Sequence, residues 1–149
     1  MTKKQQEVMM MTYKTQDEVI RQLYEQAVNV REKAYVPYSG FKVGAALLGK
    51  SGKIFTGCNV ENVSYGLTVC AERNAFFKAV SEGETAFAAL LVVADTPEPV
   101  SPCGACRQVM AEFGDFEVIL SNLSYQLKRM FVHELLPYSF DKDNLNADK

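Results

Sequence analysis

Apolar residues recur along this chain with two different periods, and the switches between them predict its elements. From Asp17 onward, Val19, Ile20, Leu23, Ala27, Val30 and Ala34 fall three and four apart, which makes one face of an amphipathic helix. Pro37-Tyr38-Ser39-Gly40 reads as a turn. Residues 41–48 begin with alternation and end fully apolar, the pattern of a strand. Ser51-Gly52 turns the chain into a second strand over 53–58, so the two predict a hairpin. Residues 59–69 keep neither period and read as a loop. Ala71, Ala75, Phe76, Ala79 and Val80 share one side of a helix over 70–82 that Gly83 closes.

The run 88–94 is uninterrupted apolar and bounded by Asp95-Thr96-Pro97, as in a strand covered on both faces. Pro97, Pro99 and Pro102 enforce an extended connection. A helix is predicted over 103–113 with Gly114 at its end, then strands over 117–120 and 124–130 and one helical turn over 132–136. Strands alternating with helices predict an α/β fold: a three-layer α-β-α sandwich around a central mixed sheet of about five strands. No internal repeat or long linker splits the chain. Residues 15–140 read as one domain, preceded by a polar, Met-rich extension over 1–14 and followed by a polar tail over 141–149.

Composition narrows the function. The chain has 149 residues, 48% hydrophobic and 23% charged, enough apolar content for one packed core. Its net charge of −2 carries no basic stripe, which argues against a polynucleotide partner. No apolar run approaches the ~20 residues of a membrane span, and the N-terminus lacks the apolar core of a secretory signal. A cytoplasmic location is therefore expected.

Cysteines carry the candidate chemistry. There are four: Cys58, Cys70, Cys103 and Cys106. A cytoplasmic chain of this size favours metal or redox chemistry over disulfides. Cys70-Ala71-Glu72-Arg73 and Pro102-Cys103-Gly104-Ala105-Cys106-Arg107-Gln108 each stand where a helix starts. A helix N-terminus favours thiolate, the metal-binding form. Cys103 and Cys106 are one turn apart, so both sulfurs reach one side, and Cys70 arrives from the second helix start. Three thiolates leave the fourth corner of a tetrahedral zinc open, as in a catalytic site. A structural zinc with Cys58 as fourth ligand is the alternative.

Glu72 lies two residues after Cys70, near the metal without ligating it, where a carboxylate can take a proton from an attacking water and pass it to substrate. The pattern C-x-E…P-C-x-x-C is the H-x-E…P-C-x-x-C signature of zinc deaminases with Cys70 in place of the histidine. Three thiolates and Zn²⁺ sum to −1, which opposes water activation. Two helix N-termini and Arg73, donating toward the sulfurs, are expected to offset that charge.

With Phe41-Lys42-Val43-Gly44-Ala45-Ala46-Leu47, Asn59-Val60-Glu61-Asn62 and Glu134-Leu135-Leu136-Pro137 added, the chain from 17 to 140 resembles cytidine deaminases of the small homotetrameric class. The resemblance implies hydrolytic deamination of cytidine and 2′-deoxycytidine, with release of ammonia. It implies one zinc per subunit on Cys70, Cys103 and Cys106, with Glu72 as proton shuttle. Asn59 and Glu61 would recognise the ribose, in a loop running to Tyr65. Phe41 would pack against the nucleoside, and the Ala71 N–H would meet the pyrimidine O2. Phe140 would reach a neighbouring subunit's site in a homotetramer with shared active sites. The absence of a Gly-rich phosphate cradle, together with the Glu61 carboxylate, favours a nucleoside over a nucleotide. The same chemistry on another nucleoside such as blasticidin S, and a non-catalytic zinc module, are the competing readings.

Overall fold

The computed structural model describes residues 2–4 and 15–146. Helix α1 (Asp17–Arg31) leads into a hairpin of β1 (Val43–Gly49) and β2 (Ile54–Cys58). Helix α2 (Ala71–Ser81), β3 (Phe87–Ala94), α3 (Gly104–Glu112), β4 (Glu117–Asn122) and β5 (Leu127–Phe131) follow. Two short helices, α4 (Val132–Leu135) and α5 (Lys142–Asn146), end the described chain. The five strands form one sheet in the order β2-β1-β3-β4-β5. The β3–β4 pair is parallel and the other pairs are antiparallel, so the sheet is mixed.

Strand β3 at the centre shows why its sequence is apolar throughout. Ala89, Leu91 and Val93 point into one core, with Ile20, Leu23 and Ala27 of α1. Leu90 and Val92 point into the other, with Ala75, Phe76 and Ala79 of α2 and Cys106 and Met110 of α3. Successive residues of a strand face opposite sides, so a strand sandwiched between helical layers has no polar position to offer. This is the predicted three-layer arrangement.

Two glycines set how closely the helices approach. A Cβ on Gly57 of β2 would stand 2.4 Å from the Ala71 carbonyl oxygen and 2.5 Å from the Ala75 nitrogen. A Cβ on Gly44 of β1 would stand 2.0 Å from the Ala27 carbonyl oxygen. Gly57 thus lets the first turn of α2 lie directly on β2, which matters because that turn carries Cys70 and Glu72.

Element boundaries differ from the sequence pattern where side chains claim backbone groups. Strand β1 starts at Val43 rather than 41. Phe41 donates its N–H to Ser39 Oγ (3.0 Å) and accepts at its carbonyl from Asn59 Nδ2 (2.7 Å), leaving neither group for the ladder. Strand β5 starts at Leu127 rather than 124, because Asn122 Oδ1 accepts the N–H groups of Ser124 and Gln126 and folds 122–126 into a turn with Tyr125 at φ 59°. The loop 59–69 contains a 3₁₀ turn at Tyr65–Leu67. The tail carries α5, unforeseen, opened by Asp141 Oδ1 accepting from the Asp143 and Asn144 N–H groups. Residues 1 and 5–14 of the predicted extension and 147–149 of the tail lie outside the described residues. Among the described residues no helix is long and apolar enough to cross a membrane.

Candidate metal centre and active site

Cys70 and Cys103 are the extended residues immediately preceding α2 and α3. A serine, threonine or aspartate there would turn its oxygen back onto its own helix. Neither cysteine makes such a cap, and their sulfurs turn toward each other instead. Cys70 Sγ lies 3.7 Å from Cys103 Sγ, and Cys103 Sγ lies 3.5 Å from Cys106 Sγ. All three sulfurs fall within 4.8 Å of one another. A tetrahedral zinc with Zn–S of about 2.3 Å has S···S edges of about 3.8 Å, so this triangle matches three corners of such a centre. Cys58 is not part of the cluster, so the four-cysteine alternative is not formed.

Burial grades across the triangle: Cys106 is buried, Cys70 half-buried and Cys103 exposed. The thiols share their protons unevenly. Hydrogen bonding from Cys106, with further contributions from Arg73 and Cys103, lowers the Cys70 pKa to about 5 against the opposing effect of burial. The same Cys70 bond, joined by burial, pushes Cys106 up. Cys70 is thus the thiol that gives up its proton most readily, and a bound cation would expel the others.

Arg73 Nη2 lies 3.5 Å from Cys70 Sγ and 3.5 Å from the Thr68 carbonyl oxygen. Its Nε is buried and meets no acceptor. A guanidinium with an unspent buried donor beside three sulfurs suits a cluster that keeps negative charge after taking up a dication. Glu72, in the first turn of α2, is only 4% exposed. Burial pushes its carboxyl pKa up, and the charge of Cys70 adds to that push. A carboxyl raised in this way holds a proton more readily than an exposed one, which suits general acid–base work. Ala71 opens α2 and is buried between these two residues.

The predicted sugar-binding residues form a second group. Asn59 is 8% exposed, and its amide already spans the β1 entrance. Its Oδ1 accepts from the Val43 N–H (2.9 Å) and its Nδ2 donates to the Phe41 carbonyl. Glu61 Oε1 accepts from the Tyr38 N–H (3.0 Å) and the Ser39 N–H (3.1 Å). Hydrogen bonding from the Ser39 side chain, ahead of the backbone bonds, holds the Glu61 carboxyl below its ordinary range. Tyr65 meets Tyr38 edge-on at 5.8 Å. Tyr38, Ser39, Glu61, Tyr65 and Thr68 line a cleft of about 360 Å³. A larger cavity of about 590 Å³ sits at the far end of α3, between Ala111, His133 and Asp143, and none of the predicted site residues lines it. Phe41 is partly exposed, and Phe140 stands 60% exposed with its carbonyl accepting from Gln108 Nε2.

Four further residues brace these groups. Thr68 holds Arg73 through its carbonyl. The Tyr38 and Ser39 N–H groups hold Glu61. Arg107 ties Ser101, Pro102 and Leu135 together. The turn at 37–40 was legible from Pro37 and Gly40, and a turn presenting successive N–H groups is a ready carboxylate acceptor. The Thr68 and Arg107 contacts are tertiary and leave no local pattern.

Comparison with known proteins agrees with this geometry. The family model for the cytidine and deoxycytidylate deaminase zinc-binding region matches residues 17–122. A cytidine deaminase of Sporosarcina psychrophila is 55% identical over 129 residues, spanning 85% of this chain and 95% of its own length. One of Halalkalibacterium halodurans is 56% identical over 126 residues, spanning 83% of this chain and 96% of its own length. The crystal structure of the Burkholderia pseudomallei cytidine deaminase superposes with a TM-score of 0.79 at 52% identity, covering 80% of this chain and 98% of that one. With a cysteine triangle and a buried carboxylate at the starts of two helices, and relatives aligned over nearly their whole length, the chain belongs to the cytidine and deoxycytidylate deaminase family, among its cytidine deaminases.

Proposed function

We propose that the chain catalyses zinc-dependent hydrolytic deamination of cytidine and 2′-deoxycytidine in cytoplasmic pyrimidine salvage, with one zinc per chain. The observation that carries this reading is the sulfur triangle of Cys70, Cys103 and Cys106, sized for zinc, beside the buried Glu72. Bound there, zinc supplies a Lewis acid that makes water acidic near neutral pH. Glu72 takes a proton from the attacking water and gives it to the pyrimidine ring nitrogen as the C4–O bond forms, then passes the water's second proton to the amino group, so that the C4–N bond breaks and ammonia leaves uridine. Arg73, aimed at Cys70, offsets the thiolate charge. The Ala71 N–H, unpaired within the first turn of α2, meets the pyrimidine O2.

Glu61 spends one oxygen on the 38–39 turn and keeps the other for a sugar hydroxyl. Asn59 spends one donor and one lone pair on 41–43 and keeps the rest. Phe41 and Tyr65 flank the nucleoside, and a neighbour's Phe140 closes over it in a homotetramer.

Purified protein is mixed with cytidine while ammonia release and the ultraviolet change are followed alongside metal analysis. Turnover with about one zinc per chain is expected. Cys103→Ser is expected to lose the metal and Cys58→Ser to retain it. Loss of metal in Cys58→Ser, or no turnover in zinc-replete protein, overturns the reading.

A further inference from the structure

We propose that Gln108 is a positioning residue that sets the place of Phe140, so that the helix carrying two of the metal-binding cysteines also aims the C-terminal aromatic. This rests on the reading above, in which Phe140 closes a nucleoside site.

The segment from Leu136 to Asp141 leaves α4 with no regular structure. It contains Tyr138 in the left-handed region at φ 51°, fully exposed. Among the described residues, the hydrogen bond from Gln108 Nε2 to the Phe140 carbonyl, at 2.8 Å, is the one that reaches residues 137–140. The next tether lies beyond Phe140: an ion pair of Lys142 with Glu112 at 3.0 Å, both exposed. Such a pair contributes little in water. The start of the segment is held by the residue beside Gln108. Arg107 Nη1 donates to the Leu135 carbonyl at 2.7 Å, while its Nε and Nη2 donate to the Pro102 carbonyl (2.9 Å) and Ser101 Oγ (2.7 Å).

Arg107 and Gln108 thus hold both ends of the stretch 135–140, immediately after Cys106. The bond fixes Phe140 by its backbone, while the residue stays 60% exposed with no aromatic partner for its ring among the described residues. A ring presented outward on a pinned carbonyl loses less freedom when it closes on a ligand than one on a loose tail. The consequence is a cost in substrate binding, with chemistry untouched, when the pin is removed.

Gln108→Glu keeps the side chain's size and removes the N–H donor. One hydrogen bond of this kind corresponds to a change of about three- to tenfold. Three measurements on the zinc-loaded protein test it. KM for cytidine is expected to rise about three- to tenfold while kcat stays within about twofold, the signature of lost uniform binding. In a Phe140→Ala background, Gln108→Glu is expected to add nothing, because the residue it positions is gone. Chymotryptic cleavage after Tyr138 and Phe140, followed by mass spectrometry without any turnover, is expected to accelerate by a similar factor.

Unchanged cleavage shows that the bond does not hold the segment. Faster cleavage with unchanged KM shows that it holds the tail without aiming the ring. A fall in kcat or zinc content, or an effect that adds to Phe140→Ala, assigns Gln108 to the metal turn instead. Each of these overturns the proposal while the parent enzyme still deaminates cytidine. Failure of the proposed activity shows itself separately, in a parent that does not turn over.

Discussion

Glu72 and Glu61 are two carboxylates whose surroundings drive them in opposite directions. Glu72 is buried at the start of α2, and that burial raises its pKa. Glu61 lies on the surface, and hydrogen bonding from Ser39 lowers its pKa. In the proposed reaction one is suited to exchanging protons and the other to staying charged toward a sugar hydroxyl. Glu72→Gln preserves size and leaves the three sulfurs in place, so zinc is expected to be retained. General acid–base groups contribute typically 10²–10⁴-fold, and a group serving more than one transfer belongs at the upper end, so a loss of about 10⁴ in kcat is expected. Activity within about tenfold of the parent, with zinc bound, removes the shuttle role.

For Glu61 the sign is the reverse of that for a buried acid. A depressed folded-state pKa keeps the carboxylate charged as pH falls through the ordinary value of 4.5, and the charge is lost only at a lower pH. Carbon NMR of the labelled side chain is expected to give a midpoint below 4.5, and Ser39→Ala is expected to move it upward. A midpoint that ignores Ser39→Ala removes that hydrogen bond as the cause.

At the scale of elements, the site depends on α2 and α3 beginning where the sheet allows. Gly57→Ala drives a methyl group into the Ala71 carbonyl and Ala75 nitrogen, both of them backbone and unable to swing away. Overpacking typically costs about 1–3 kcal/mol, and here the strain falls on the turn holding Cys70 and Glu72. The expected outcome is a midpoint of urea unfolding lowered accordingly, together with weakened zinc retention under a chelator; an unchanged midpoint would show that α2 can lift off β2 freely.

Most of these elements were legible because apolar periodicity and layer position are the same fact seen twice: β3 is apolar throughout since both its faces are covered. The boundaries that apolar periodicity does not mark are those set by side chains bonding to backbone. Asn122 delays β5, Asn59 delays β1 and Asp141 starts α5. The cysteines and Glu72 stood out through spacing within single helical turns. The additional work of Asn59 and Glu61 in bracing 38–43 did not, because their partners lie 16–23 residues away.

At the scale of the whole molecule, the proposed homotetramer makes each site incomplete within a single chain. Cys103, Tyr65 and Phe140 are all exposed, and a neighbouring chain in that assembly would cover them. Phe140, 60% exposed near a polar tail, gains from burial if a second chain receives it, as the proposed assembly requires. In a closed assembly each chain lends its Phe140 to a neighbour and accepts one in return. Sedimentation is then expected to give a mass near four times 16.6 kDa.

The sharing itself has a stricter test. A Glu72→Gln chain lacks the shuttle but still lends its Phe140. A Phe140→Ala chain keeps the shuttle and lends nothing; losing a buried aromatic contact is expected to cost it about thirtyfold or more in kcat/KM. In tetramers reassembled from an equal mixture, about a quarter of the sites pair an intact Glu72 with a neighbour's intact Phe140. Assayed well below KM, the mixture is expected to recover up to that share of parental activity, far above either variant alone. A mixture no more active than the average of its parts, in tetramers shown by mass to be mixed, places Phe140 in its own chain's site. A fully active monomer removes the shared site altogether.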